Sequence, residues 1–262
     1  MIQLKYNYHT HTFRCFHAKG TDEEYVKAAI KAGFDEIGFS DHSPWNFDGF
    51  VSHMRMHENE LEEYCSSVKS LKEKYKDQIS IKLGLECEYF PKYLPWLKQM
   101  IKKHSIDYII LGHHFSTDET IGKYNGSLSE KEDLYIFRDD IIEALDTGLF
   151  SYVAHPDIFM RGYPVFDETC EEISRQIIKK AIETKTPLEY NLLGLSHSKN
   201  DGKQGYPHPE FWRIAGEMKP LVTVGIDAHF PEAYLDSELF EDGYRQLEKL
   251  GLKAVDSIKM LR

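Results

Sequence analysis

Eight residues scattered along the chain have the side chains a metal centre needs: His9, His11, His42, Glu86, His114, His155, Asp227 and His229. Imidazole is the commonest protein ligand for metal ions, and carboxylates add negative charge and hard oxygen donors. The tightest group is His9-Thr10-His11. In an extended segment residues i and i+2 project the same way, so these two imidazoles stand side by side, as two ligands of one small divalent ion must. Each residue alone has an ordinary alternative. The His9/His11 pair reads equally as one solvated and one packed histidine, and Glu86 as a solvated strand-end carboxylate. His114 or His155 reads as a packed histidine bonded to backbone, and Asp227 as a helix cap. Where the residues fall separates these readings.

The chain repeats one plan, strand then loop then helix, at least seven times. The aromatic alternation of Tyr6-Asn7-Tyr8 predicts a first strand, and Glu36–Ser40 a second. Ile79–Cys87 alternates Ile81, Leu83, Leu85 and Cys87 against Lys82, Gly84 and Glu86 as a third. Asp107–Gly112 is a continuous apolar run of the kind buried on both faces. Tyr152–Ala154, Leu188–Asn191 and Leu221–Ile226 complete seven, and Lys253–Val255 is a candidate short terminal strand. Between them, Thr21 and Glu24 form a capping box for a helix that Gly33 stops. A helix from Glu58 to Tyr75 carries Leu61, Tyr64, Val68 and Leu71 on one stripe, and one from Thr169 to Thr184 carries Ile173, Ile177, Ile178 and Ile182. Further helices are expected from Pro95 to Lys103, Ser129 to Thr147, Pro209 to Met218 and Ser237 to Leu250. Gly194 to Tyr206 reads as a long loop, a candidate lid.

Buried strands alternating with helices imply a parallel sheet with right-handed crossovers. Seven or eight such units without a Gly-x-Gly-x-x-Gly fingerprint favour a closed or distorted (β/α) barrel over a doubly wound sheet. No linker or low-complexity tract divides residues 1–262, so one domain is expected. In a barrel the C-terminal strand ends converge on one mouth. All eight candidate ligands stand at or near such ends, so residues from position 9 to position 229 would meet there.

Their number exceeds the four to six ligands of one zinc or manganese ion. A cluster of two or three divalent ions is implied, with Glu86 placed to bridge two of them. Two such ions holding a bridging hydroxide suit in-line attack on phosphorus. Lys plus Arg number 32 against 43 for Asp plus Glu, a formal net charge of −11. Such a chain is a poor candidate for holding nucleic acid, but metal ions would let it take a small phosphate. No long apolar run follows Met1–Lys5, so neither a signal peptide nor a membrane span is expected. Cys15, Cys65, Cys87 and Cys170 form no Cys-x-x-Cys pair and read as reduced thiols of a cytoplasmic protein. Nothing in the pattern sets an oligomeric state.

His9-Thr10-His11, Ser40-Asp41-His42, Leu85-Glu86, Gly112-His113-His114-Phe115, Ala154-His155-Pro156 and Gly225-Ile226-Asp227-Ala228-His229 stand in this order along nearly the whole chain. Together they resemble the motif series of the PHP (polymerase and histidinol phosphatase) family. Within it the resemblance is strongest to the stand-alone histidinol-phosphate phosphatases of bacterial histidine biosynthesis. The resemblance implies a distorted (β/α)7 barrel of the PHP fold, three divalent ions (zinc, iron or manganese) and hydrolysis of L-histidinol phosphate. By motif position it implies that His9, His11, Glu86 and Asp227 hold one ion, and Glu86, His114 and His155 a second. It adds His17, six residues past His11, to hold the third with His42 and His229. His113 falls where many relatives have a residue that is not a ligand.

Other polar residues are candidates for the substrate. Arg161 follows His155 in a loop over the same mouth and suits bidentate binding of phosphate. Asn191 ends the sixth strand, and His197 and Lys203 lie in the long loop after it. Asp41 is a candidate to orient a ligand histidine from behind. No residue is singled out as the acid that protonates the leaving alkoxide. Two rival functions share the same motifs: a PHP phosphoesterase acting on nucleotides or DNA ends, and a metal-binding regulator without catalysis.

Overall fold

The computed structural model describes residues 6–202 and 205–261, so Met1–Lys5 and Lys203 lie outside the described residues. Strand β1 (Tyr6–Asn7) pairs in parallel with β2 (Glu36–Phe39), β2 with β3 (Ser80–Cys87), and β3 with β4 (Tyr108–Leu111). A second parallel pair joins β5 (Leu188–Asn191) to β6 (Val222–Gly225). Single-residue bridges link the two sheets into one circuit. Val153 pairs with Leu111 of β4 and Leu188 of β5, and Thr10 pairs with Ala228. At that last seam His11 N donates to Ala228 O at 2.9 Å and Ala228 N to His9 O at 3.1 Å. Seven staves therefore stand in the order expected.

The expected strand Tyr152–Ala154 is reduced to Val153. Pro156 has no N–H, and His155 leaves the extended region at φ 30°, so the ladder stops there. The expected terminal strand is likewise one bridge, Ala254 beside Val222. In the first stave alternation breaks between Tyr8, which joins an interior aromatic cluster, and His9, which also turns inward to Glu189.

Strand β3 shows how sequence pattern sets the layers. Ile81, Leu83, Leu85 and Cys87 are buried in the main core, in the cluster that includes helix residues. The alternate residues Lys82, Gly84 and Glu86 climb the barrel interior from base to mouth. Lys82 pairs with Glu36 at 3.2 Å near the base. Above it the Tyr108 ring fills the interior with Tyr8, Ile110, Tyr152 and Ala154. A Cβ at Gly38 or Gly84 would lie 2.3 or 2.4 Å from Tyr108 atoms, so only glycine admits the ring. Tyr108 donates its hydroxyl to the carbonyls of Tyr8 at 2.7 Å and Phe39 at 3.0 Å, which removes the cost of burying it. Glu86 is left at the top, in the mouth of the barrel.

The outer elements are α1 (Asp22–Lys31), α2 (Leu61–Lys74), α3 (Leu94–His104), α4 (Lys131–Asp146), α5 (Glu168–Thr184), α6 (Leu192–Asp201), α7 (Pro209–Met218) and α8 (Ser237–Lys249). The capping box of α1 forms as the sequence implies: Thr21 accepts from Glu24 N, and Glu24 accepts from Thr21 N at 2.7 Å. Thr21→Ala is expected to lower stability by about 1 kcal/mol and leave activity unchanged, read as a shift of the urea midpoint at constant slope. The α2 stripe Leu61, Tyr64, Val68 and Leu71 is buried as expected. On α5, Ile173, Ile177 and Ile178 are buried but Ile182 is 40% exposed. At 100° per residue Ile182 points away from the others, and Ala181 takes the buried position.

The segment read as a loop from Gly194 to Tyr206 is largely helix α6. Asn191 caps it, its side-chain oxygen accepting from Gly194 N at 2.8 Å. A run rich in Gly, Ser and Lys concealed a helix whose start signal lies three residues upstream. Gly194 itself is required by close packing, because a Cβ there would meet Tyr206 O at 2.3 Å. No helix among the described residues is long and apolar enough to cross a membrane.

Candidate metal centre

The seven staves deliver their side chains to one mouth. His9 and His11 come from the first and His42 from just beyond β2. Glu86 ends β3, His114 and His155 follow the next two, and Asp227 and His229 follow β6. Glu86 lies at the middle, within 3.0–3.6 Å of five imidazoles: His155 at 3.0 Å, His42 at 3.0 Å, His11 at 3.4 Å, His9 at 3.5 Å and His114 at 3.6 Å. Asp227 Oδ1 stands 3.1 Å from His11 Nε2 and 3.4 Å from His9 Nε2, and those two nitrogens are 3.2 Å apart. Four ligands about 2.1 Å from a central ion in a tetrahedron stand about 3.4 Å from one another. His9 Nε2, His11 Nε2 and Asp227 Oδ1 keep that spacing, and a Glu86 oxygen stands 3.4–3.5 Å from each of the two imidazoles.

Nitrogens of His17, His42 and His229 form another group within 4.8 Å of one another, and His42, Glu86 and His114 a further one. The sets interlock, with Glu86 and His42 shared. Cys15 is an addition: its sulfur groups with nitrogens of His11 and His229. All four cysteines are buried and unpaired. Eight buried side-chain nitrogens and oxygens among the described residues lack a hydrogen-bond partner, and two of them, His42 Nδ1 and Glu86 Oε2, face each other at 3.0 Å inside the cluster. Such orphans are costly unless something else satisfies them. This donor set fits divalent cations.

Neighbouring groups orient the imidazoles. His9 donates Nδ1–H to Glu189 at 2.8 Å, His17 donates Nδ1–H to the Cys15 carbonyl at 2.6 Å, and His229 donates Nδ1–H to the Asp227 carbonyl at 3.0 Å. Each arrangement leaves Nε2 free to face the mouth. Asp41 stands 3.4 Å from His11 Nδ1 and is itself held by Thr12 and by His42 N. His155 and Asp227 both have positive φ, 30° and 56°, a strained backbone that the packing around them must sustain.

Burial opposes charge on Glu86, but His114 and His9 outweigh it and hold its carboxyl well below the usual range. Burial is likewise outweighed at Asp227 by His9 and His11. Both are therefore ionised acceptors. Burial and the neighbouring His11 push His42 well down, His229 down to about 3, and His17 down. These three neutral imidazoles keep the lone pair that a metal takes, whereas at His9, His11 and His155 burial is outweighed by the neighbouring carboxylates, which push them up.

A cavity of 340 Å³ opens over these groups, lined also by Met54, Tyr124, Ile158, Arg161, Leu193, His197, Tyr206 and Phe230. Arg161 and His197 thus reach the mouth. Arg161 Nη1 donates to the Tyr124 hydroxyl at 3.0 Å. Asn191 does not line the cavity. It is fully buried, and its amide donates to Glu189 at 2.9 Å and Asp227 at 3.1 Å while its oxygen caps α6. Both ends are taken, so Asn191 holds Asp227 and does not face substrate. His113 turns away from its neighbour His114: its Nε2 lies 2.9 Å from Asp140, and its Nδ1 accepts from Tyr89 N at 3.4 Å.

Glu189 escaped the sequence reading, although a glutamate inside a four-residue buried strand is a signal that a partner awaits it. Glycines make room for both central carboxylates. A Cβ at Gly112 would lie 1.9 Å from Glu86 Oε1, and one at Gly225 1.7 Å from Glu189 Oε1. Gly112→Ala is expected to displace Glu86 and lower bound zinc per chain while the circular dichroism stays barrel-like. Unchanged zinc content would show that the mouth tolerates the shift.

Comparison with known proteins agrees with this geometry. Residues 7–259 match the PHP domain family. The chain belongs to the PHP family. Among PHP proteins, it is 26% identical over 265 residues to the "Probable histidinol-phosphatase" of Deinococcus radiodurans, covering 94% of each chain. It is 24% identical to the histidinol-phosphatase of Bacillus subtilis, covering 84% of this chain and 92% of that one. The crystal structure of histidinol phosphate phosphatase from Lactococcus lactis, complexed with zinc, L-histidinol and phosphate, superposes with a TM-score of 0.73 at 20% identity. That match covers 98% of this chain and 99% of the other. The PHP barrel expected from the motif order is therefore the fold observed.

Proposed function

We propose that this chain is a divalent-metal-dependent phosphomonoesterase that hydrolyses L-histidinol phosphate to L-histidinol and phosphate, the reaction expected of it in histidine biosynthesis. The observation that carries this is the convergence of buried imidazoles on Glu86 beneath a small cavity with Arg161 at its rim. The names of the relatives, and the L-histidinol and phosphate in the Lactococcus lactis complex, support the choice of ester. The rival readings, action on DNA ends and binding without catalysis, gain no such support.

In this proposal His9, His11, Glu86 and Asp227 hold one ion. Glu86, His114 and His155 hold a second, and His17, His42 and His229 a third. Zinc, iron and manganese all suit such donors. Bound ions supply Lewis acidity toward phosphoryl oxygens and lower the pKa of an attacking water. Glu189 and Asp41 fix the tautomers of His9 and His11 from behind. Asn191 holds Asp227 and Glu189 at their mutual distance. Arg161, steadied by Tyr124, binds the phosphate and offsets the charge that gathers on its oxygens. His197 contacts the remainder of the substrate at the rim, and Lys203 is a further candidate for that contact. Residues 1–262 act as one domain, and the four unpaired cysteines support a cytoplasmic location.

A panel of phosphate monoesters assayed for phosphate release tests the substrate. L-histidinol phosphate is expected to show the highest kcat/KM. A nucleotide or a DNA 3′-phosphate turned over faster would transfer the proposal to the first rival.

A further inference from the structure

Two residues beyond Glu86 lies a second buried carboxylate that the ligand set above does not use. Glu88 is fully buried. Its Oε1 is 3.4 Å from His114 Nδ1, a buried nitrogen without a hydrogen-bond partner, while His114 Nε2 faces Glu86 at 3.6 Å. Trp45 Nε1 donates to Glu88 Oε2 at 2.8 Å. Arg55, 1% exposed, binds both Glu88 oxygens, at 2.7 and 3.0 Å. The same guanidinium donates to the Ser43 carbonyl at 3.1 Å and to Glu119 at 2.6 Å, and Glu119 also accepts from Ser52 at 2.6 Å. Segments following β2, β3 and β4 thus meet on one arginine.

Two carboxylates around one guanidinium leave one net negative charge, and it lies behind His114. We propose that Glu88 is a positioning residue for His114. It accepts the Nδ1–H of that imidazole, sets its tautomer and aims Nε2 at Glu86, while Arg55 and Glu119 hold Glu88 in place. His9 has the same arrangement with Glu189, at 2.8 Å. The inference rests on reading His114 as a metal ligand together with Glu86 and His155. An orienting carboxylate of this kind raises ligand basicity, and its removal costs about 10–100-fold in metal affinity.

The experiment uses full-length, zinc-loaded protein and chelator competition. Glu88→Gln is expected to weaken one bound zinc about 10–100-fold and leave the others at wild-type affinity. Glu119→Gln is expected to retain all zinc, because Arg55 still holds Glu88. A wild-type nitrogen-15 spectrum gives a second readout that needs no variant to fold: His114 Nδ1 carries a proton in the zinc-loaded protein. A Glu88→Gln variant with every zinc at wild-type affinity, or a zinc-loaded His114 whose Nδ1 has no proton, overturns the proposal. A wild type that takes up no zinc overturns the metal-centre reading instead.

Discussion

Glu86→Gln is expected to abolish nearly all turnover of L-histidinol phosphate, with kcat/KM falling by about 10³-fold or more, at or beyond what loss of one transition-state donor costs. The substitution is nearly isosteric, so Ile81, Leu83, Leu85 and Cys87 keep their packing and β3 keeps its register. What changes is charge and donor type at the point where five imidazoles meet. The amide oxygen is a weaker ligand, and the amide nitrogen presents hydrogens to His155 or His42, each 3.0 Å from the carboxylate oxygens. Two of the three proposed ion sites use Glu86, so zinc content should fall by more than one ion per chain. Elemental analysis after gel filtration reads this directly. A variant with full zinc content and wild-type turnover would show that Glu86 is not the bridging ligand.

Arg161→Ala is the second large effect, and its signature is different. Arg161 lines the cavity, makes none of the close contacts among the candidate ligands, and its Nη1 donates to Tyr124. Removal leaves the ion sites intact and the phosphate without its guanidinium. Activity should fall about 10²–10³-fold, the range for a donor aimed at developing charge, with zinc content unchanged. Part of the loss should appear as a raised KM and a raised inhibition constant for inorganic phosphate. Arg161→Lys restores charge without the planar fork and should recover only part of the activity. If Arg161→Ala binds phosphate as well as wild type, Arg161 does not touch it.

Much of this was legible in the residues. A parallel barrel follows from seven apolar strands alternating with helices, and the candidate ligand residues announce themselves by standing at strand ends. Motif order added His17, whose place in a loop no periodicity marks. The misses have physical causes. The place of Asn191 at a strand end suggests contact with substrate, but it caps α6 and holds Asp227. His113, which motif position leaves outside the candidate ligand set, turns away from His114 to Asp140. Glu189, Glu88 and Arg55 went unread because carboxylates and an arginine are common on surfaces. Only burial shows that each must be partnered. These outer residues hold the ligands where the strands leave them.

The most direct test is phosphate release from L-histidinol phosphate by protein stripped with a chelator and then reloaded. The stripped protein is expected to release negligible phosphate and to recover on adding zinc, manganese or ferrous iron. Turnover that survives complete removal of metal, or reloaded protein that leaves L-histidinol phosphate intact, would contradict it.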